Sequence, residues 1–142
     1  MTASGCGVHV KDYGRLLAHD PAYADQARRV SELTKDIGEI LASEDLSALP
    51  PAPAGSSIAF HSPCTLQHGQ KLHDVVERIL RARGFTLTPV PDAHLCCGSA
   101  GTYSVLQPEI AQPLRAAKLR ALQSGHPDLI VTANIGCLEH LR

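Results

Sequence analysis

The sequence has 142 residues, enough for one domain with a modest core, and only 4% of them are aromatic, so aliphatic side chains must carry that core. Thirteen basic residues against 14 acidic ones leave a formal charge of -1, which offers no basic face to nucleic acid. No apolar run reaches the ~18 residues of a membrane span, and the N-terminus MTASGCGVHVKD has no basic-then-apolar leader. The expected location is therefore cytoplasmic, or at the inner face of a membrane through partners.

In chain order, Ser4-Gly5-Cys6-Gly7 reads as a turn opening onto VHVKDYGRLL, a short helix or irregular segment. Asp20-Pro21 can start the next helix, with Asp20 as cap and Pro21 in its first position. Tyr23, Ala27, Val30, Leu33, Ile37, Ile40 and Leu41 then recur at helical spacing, so 23–41 reads as one amphipathic helix. Residues 47–57, SALPPAPAGSS, form a loop or linker.

The pattern then changes. SIAFH (57–61) is a short apolar strand, ended by Ser62-Pro63-Cys64. A helix is predicted over 68–83 and closed by Gly84. FTLTPV (85–90) alternates as a strand, and a helical region follows over 103–122. Pro108 suits a helix start there, whereas Pro113 predicts two pieces or a bend. DLIVTA (128–133) reads as a buried strand, followed by NIGC and the beginning of a helix. This order predicts an α/β fold, a small parallel sheet with 68–83 and 103–122 as crossover helices.

TASGC at 2–6 echoes TANIGC at 132–137, which suggests two repeats. The expected organisation is the tail of a preceding repeat plus a helix over 1–46, a Pro/Ala-rich linker over 47–56, and a cysteine-rich α/β repeat over 57–142, truncated at its C-terminal end.

The chemistry lies in five cysteines, Cys6, Cys64, Cys96, Cys97 and Cys137. An odd, widely spaced set is a poor disulfide framework. A Cys96–Cys97 bond would be strained, since adjacent Cα atoms lie ~3.8 Å apart and disulfides need roughly 4.4–6.8 Å. Cys64, the Cys96–Cys97 pair and Cys137 each follow a predicted strand, separated by 31 and 39 residues. Parallel strands end at one edge, where such sheets bind ligands, so the four thiols can converge there.

Iron–sulfur clusters and zinc both accept four sulfurs. Adjacent side chains on extended backbone diverge, which suits a polynuclear cluster better than one small ion. Gly98, Ser99 and Gly101 of the GSAG segment would shape the pocket, with backbone N–H groups of 98–101 aimed at sulfur. Among the histidines, His140 is the candidate ligand, three residues after Cys137. His61, His68 and His94 flank the cysteines and read as surface or packing residues. GSAG as a phosphate cradle lacks the P-loop spacing and lysine. A cysteine–histidine hydrolase remains open by spacing, but leaves the adjacent pair unexplained.

With these residues in view, HxxCxLxHGQ at 61–70, LCCGSAGxYxxLQPE at 95–109, TANIGCLxHL at 132–141 and TASGCGxxxKDYGxLL at 2–17 resemble one family. It is the cysteine-rich CCG domain found in heterodisulfide reductase, in lactate-utilisation and anaerobic glycerol-3-phosphate dehydrogenase subunits, and in glycolate oxidase iron–sulfur subunits. The extended context is nearest the last of these. The resemblance implies an electron-transfer subunit that accepts electrons from a flavin-containing dehydrogenase subunit oxidising glycolate to glyoxylate, with a further subunit in the complex.

The implied cofactor is an iron–sulfur cluster, 4Fe–4S or noncubane, with FAD only in the partner. Cys64, Cys96, Cys97 and Cys137 match the second repeat's cysteines, and Cys6 matches the last cysteine of the first repeat. His140 stands where the general pattern has a further cysteine. The family's ferredoxin-like N-terminal segment is not in this sequence, so the chain is expected to be a piece of a longer subunit. Substrate chemistry falls to the flavin partner, and no catalytic residue is assigned here. The alternative is a structural zinc site in an α/β interaction domain.

Overall fold

The computed structural model describes residues 1–142. Ser57–His61 forms β1, Thr86–Leu87 β2 and Leu129–Thr132 β3, all parallel in the order β2-β1-β3. Ile58 pairs with Leu87 on one side and Leu129 on the other, and His61 pairs with Thr132. SIAFH is an almost unbroken apolar run because β1 is central and covered on both faces. Ile58, Ala59, Phe60 and His61 are all buried.

The helices follow the predicted alternation. Ser4–Lys11 is α1, Tyr13–Leu16 α2, Ala24–Leu33 α3, Ile37–Leu41 α4, Val75–Ala82 α5, Tyr103–Leu106 α6, Pro108–Gln123 α7 and Ile135–Leu141 α8. Crossover α5 joins β1 to β2. Crossover α7 carries the chain back past β1 to the opposite edge and buries Ala111, Lys118 and Leu122.

Several elements depart from the expected bounds. The helix predicted over 68–83 begins only at Val75, because Lys71 and Asp74 both hold φ 58°, a left-handed conformation that a helix cannot contain. A single π turn, Thr65–Gly69, precedes it. The strand predicted over 85–90 is reduced to its Thr86–Leu87 pairing. In the 103–122 region the break falls at Gln107, Pro108 opens α7, and Pro113 sits inside it. Strand β3 is half-buried rather than buried, with Leu129 exposed, because it lies at the sheet edge.

The N-terminal readings are also corrected. Residues 4–7 are helical, not a turn. The 23–41 helix is two helices, because Asp36 is extended and caps α4. Its Oδ1 accepts from the Gly38 N–H at 3.0 Å, and Glu39 Oε2 accepts from the Asp36 N–H at 2.8 Å. This is a capping box, which satisfies N–H groups that the helix start leaves unpaired. Upstream, Asp20 caps a turn through the N–H groups of Ala22 and Tyr23, and α3 starts at Ala24.

The N-terminal helices dock on the cysteine edge of the sheet. Ser4 is fully buried, and its Oγ lies 2.7 Å from Thr65 Oγ1 and receives the Asn134 amide at 3.0 Å. Gln70 Nε2 donates to Ser4 O and to Asp36 Oδ2, each at 3.1 Å. The cap at Asp36 is therefore part of this junction. Asp36→Ala is expected to cost about 1–2 kcal/mol, measured by urea denaturation, and Asp36→Asn, which keeps the acceptor, is expected to cost less.

Candidate metal centre

Each strand delivers its cysteine by a different local device. After β1, Pro63 is fully buried and Cys64 enters helical backbone at φ -57°, leading into the π turn. After β2 the chain turns through Asp92, at φ 50°, and reaches Cys96 and Cys97. After β3, Asn134 caps α8, its Oδ1 accepting from the N–H of Gly136 at 2.8 Å and of Cys137 at 3.3 Å. Cys137 is the third residue of α8, and Cys6 is the third residue of α1. Both helices follow an extended cap, Asn134 and Ala3, so the sequence echo is also a structural one.

The ligand atoms of His61, Cys97 and Cys137 all lie within 4.8 Å of one another, and all three residues are buried. Cys96 and Cys97 lie close enough to Cys64 to push its thiol upward, and Cys64 and Cys96 are less buried than the trio. All five cysteines are free thiols. The structure thus brings together four of the predicted cysteines as two adjoining groups.

The sulfur of Cys97 organises the site electrostatically. Hydrogen bonds from Cys137, His61 and the Ser99 backbone bring its pKa down to about 4, against the opposing cost of burial. The same hydrogen bond holds the Cys137 proton, so Cys137 is pushed upward, as burial and the neighbouring thiolate also require. Cys64 is raised by burial first and by the charges of Cys96 and Cys97 next. His61 reaches Cys97 from a fixed position, since its Nδ1 lies 2.9 Å from Thr132 Oγ1, its cross-strand partner.

The glycine-rich turn packs directly against the cysteines and α8. The Gly98 N–H donates to Cys96 Sγ at 3.3 Å. Gly98 has φ 91°, and a Cβ there would sit 2.6 Å from Ala111 O. Only glycine fits the conformation and the approach of α7 together. Ser99 is buried, and its Oγ donates to Gly136 O at 2.9 Å, tying the turn to α8. Gly101, at φ 63°, has open space around it.

Cys6 is exposed and is not among the ligand atoms that meet within 4.8 Å. His140 lies outside the trio, and its buried Nε2 has no hydrogen-bond partner. His68 bonds through Nε2 to His94 O at 3.1 Å, a packing contact. The residue that sequence reasoning missed is His61. Its signal was its place as the last residue of the central strand, where a side chain pairs with the end of β3.

With that geometry established, the comparisons define the class. The cysteine-rich domain model of the CCG family matches residues 58–142. The chain belongs to the cysteine-rich CCG family. It is similar to the glycolate oxidase iron-sulfur subunit of Escherichia coli (strain K12), 57% identical over 141 residues, covering 99% of this chain and 34% of that one. It is also similar to lactate utilization protein A of Geobacillus thermodenitrificans (strain NG80-2), 30% identical over 147 residues, covering 99% and 60%. The probable glycolate oxidase iron-sulfur subunit of Bacillus subtilis (strain 168) is 28% identical over 142 residues, covering 99% and 32%. The chain spans between 32% and 60% of the length of these three relatives.

Two outcomes test the site without any metal. A Cys97 pKa of about 4 lies below the usual thiol value, so the metal-free fold gains stability as pH rises from about 4 toward the thiol range and loses that gain as pH falls. Ultraviolet thiolate absorbance is expected to show one thiolate surviving below neutral pH in the folded chain, absent in Cys97→Ser. Gly98→Ala is expected to cost about 1–3 kcal/mol through backbone strain, read as a lower urea midpoint.

Proposed function

We propose that this chain is the electron-carrying part of an iron–sulfur subunit, with Cys64, Cys96, Cys97 and Cys137 as cluster ligands. The observation that carries the reading is the meeting of Cys97, Cys137 and His61 within 4.8 Å, with Cys64 and Cys96 alongside. The donor set fits such a group. Soft sulfur ligands favour it, and the Gly98 N–H on Cys96 sulfur is the kind of contact that tunes a cluster's potential. When bound, the cluster supplies a one-electron relay.

The chain's own residues do the rest. Burial of Cys97 and Cys137 keeps water from the inner side, and the partly exposed Cys64 and Cys96 form the outer side. His61, held by Thr132, fixes the Cys97 sulfur. Ser99 holds the glycine turn against α8. His140, with its unpartnered Nε2, is a further candidate donor.

The names of the relatives support the setting. In this reading the chain takes electrons from a flavin-bearing subunit that oxidises a 2-hydroxy acid of the glycolate or lactate kind, and a further subunit completes the complex. Substrate chemistry belongs to the flavin partner. No helix is long and apolar enough to cross a membrane, and in this reading any attachment at the inner membrane face runs through partners. Residues 57–142 are read as one CCG repeat and 1–46 as the tail of a preceding one. The matching starts of α1 and α8 support that division, and they make Cys6 the counterpart of Cys137.

A structural zinc site is the second reading, favoured by the His61–Cys97–Cys137 trio, since zinc takes mixed sulfur and imidazole ligands. Anaerobic reconstitution decides between them. The iron–sulfur reading expects a coloured chain containing iron and acid-labile sulfide, lost in Cys96→Ser and Cys97→Ser and retained in Cys6→Ser. A colourless chain with stoichiometric zinc and no sulfide contradicts it.

A further inference from the structure

Lys118, in the middle of α7, is only 3% exposed. A buried ammonium is costly unless it is hydrogen-bonded and its charge is balanced. Its Nζ donates to Asp92 O at 3.0 Å and to Ala93 O at 3.3 Å, the two carbonyls that open the loop toward Cys96. Lysine has three N–H donors, so one is left over. No carboxylate lies within ion-pair distance of it. Lys118 and Cys96 line the same small cavity of about 80 Å³, whose remaining walls include Leu95, Leu114 and Ala117. Asp92 also lines this cavity, and the negative charges that act on Lys118 are those of Cys97, Cys96 and Asp92.

We infer that Lys118 is a positioning residue for the metal centre, anchoring the 92–97 loop through two carbonyls and supplying the positive charge that offsets its thiolates. Burial pulls the lysine toward neutrality, and the charges of Cys97, Cys96 and Asp92 oppose that pull. The role rests on the iron–sulfur reading above. A fixed cation beside a cluster stabilises the reduced, more negative state, so it raises the reduction potential. Removing the charge shifts the equilibrium toward the oxidised state. Sequence periodicity gives no hint of this, because a lysine on an amphipathic helix ordinarily faces solvent.

Three variants of the reconstituted chain separate charge from anchoring. Lys118→Gln keeps N–H donors without charge, Lys118→Met keeps neither, and Lys118→Arg keeps the charge. The midpoint potential is measured by spectroelectrochemistry, with iron content and urea midpoint recorded for each. The expected result is a tenfold shift of the one-electron equilibrium toward the oxidised state in Lys118→Gln and Lys118→Met, about 59 mV, with Lys118→Arg near wild type. Loss of the cluster from the Gln and Met variants alone also supports the role. A wild-type potential in Lys118→Gln overturns it, as does equal loss of the cluster from Gln and Arg variants, and both leave the iron–sulfur reading standing. A wild-type chain that takes up no iron or sulfide overturns that reading and this role together.

Discussion

Parallel strands end on one side of a sheet, and whatever follows them must share the volume beyond that edge. In this chain β1, β2 and β3 lead into Cys64, the Cys96–Cys97 pair and Cys137. The backbone order alone therefore sets four thiols against one another. Sulfurs crowded out of water cannot all ionise, and the structure resolves this by concentrating charge on one of them. Hydrogen bonding with Cys137 first, then with His61 and the Ser99 backbone, draws the Cys97 thiol down, while Cys137 is pushed upward.

The surrounding structure can be understood as support for that arrangement. Thr132 fixes His61, Asn134 sets the start of α8, and Ser99 bridges the glycine turn to Gly136. Gly98 permits α7 to close over the turn. From the other side, Ser4 and Gln70 bind the N-terminal helices to the loops bearing Cys64 and Cys137. The site is thus gripped by elements from both ends of the chain.

How legible this was in the sequence depended on the range of the controlling interaction. The strand 57–61 is read correctly, since a central parallel strand must be a short apolar run, and it brings the cysteine order with it. The convergence of the thiols follows from that topology. Local signals did worse where tertiary contacts overrode them. Lys71 and Asp74 adopt left-handed backbone although neither is glycine, so helical periodicity over 68–83 misleads. The two glycines of SGCG suggest a turn, yet packing of Ser4 between Thr65 and Asn134 accompanies a helix there. His61 and Lys118 were missed for a shared reason. Their side chains are defined by partners on other elements, Thr132 for one and the carbonyls of Asp92 and Ala93 for the other.

The central claim is that these convergent thiolates hold a polynuclear iron–sulfur group. X-ray absorption at the iron edge of the anaerobically loaded chain tests it most directly. The account predicts an iron environment dominated by sulfur, with iron–iron scattering beyond it. A single iron ringed by oxygen and nitrogen, with no second iron, would contradict it.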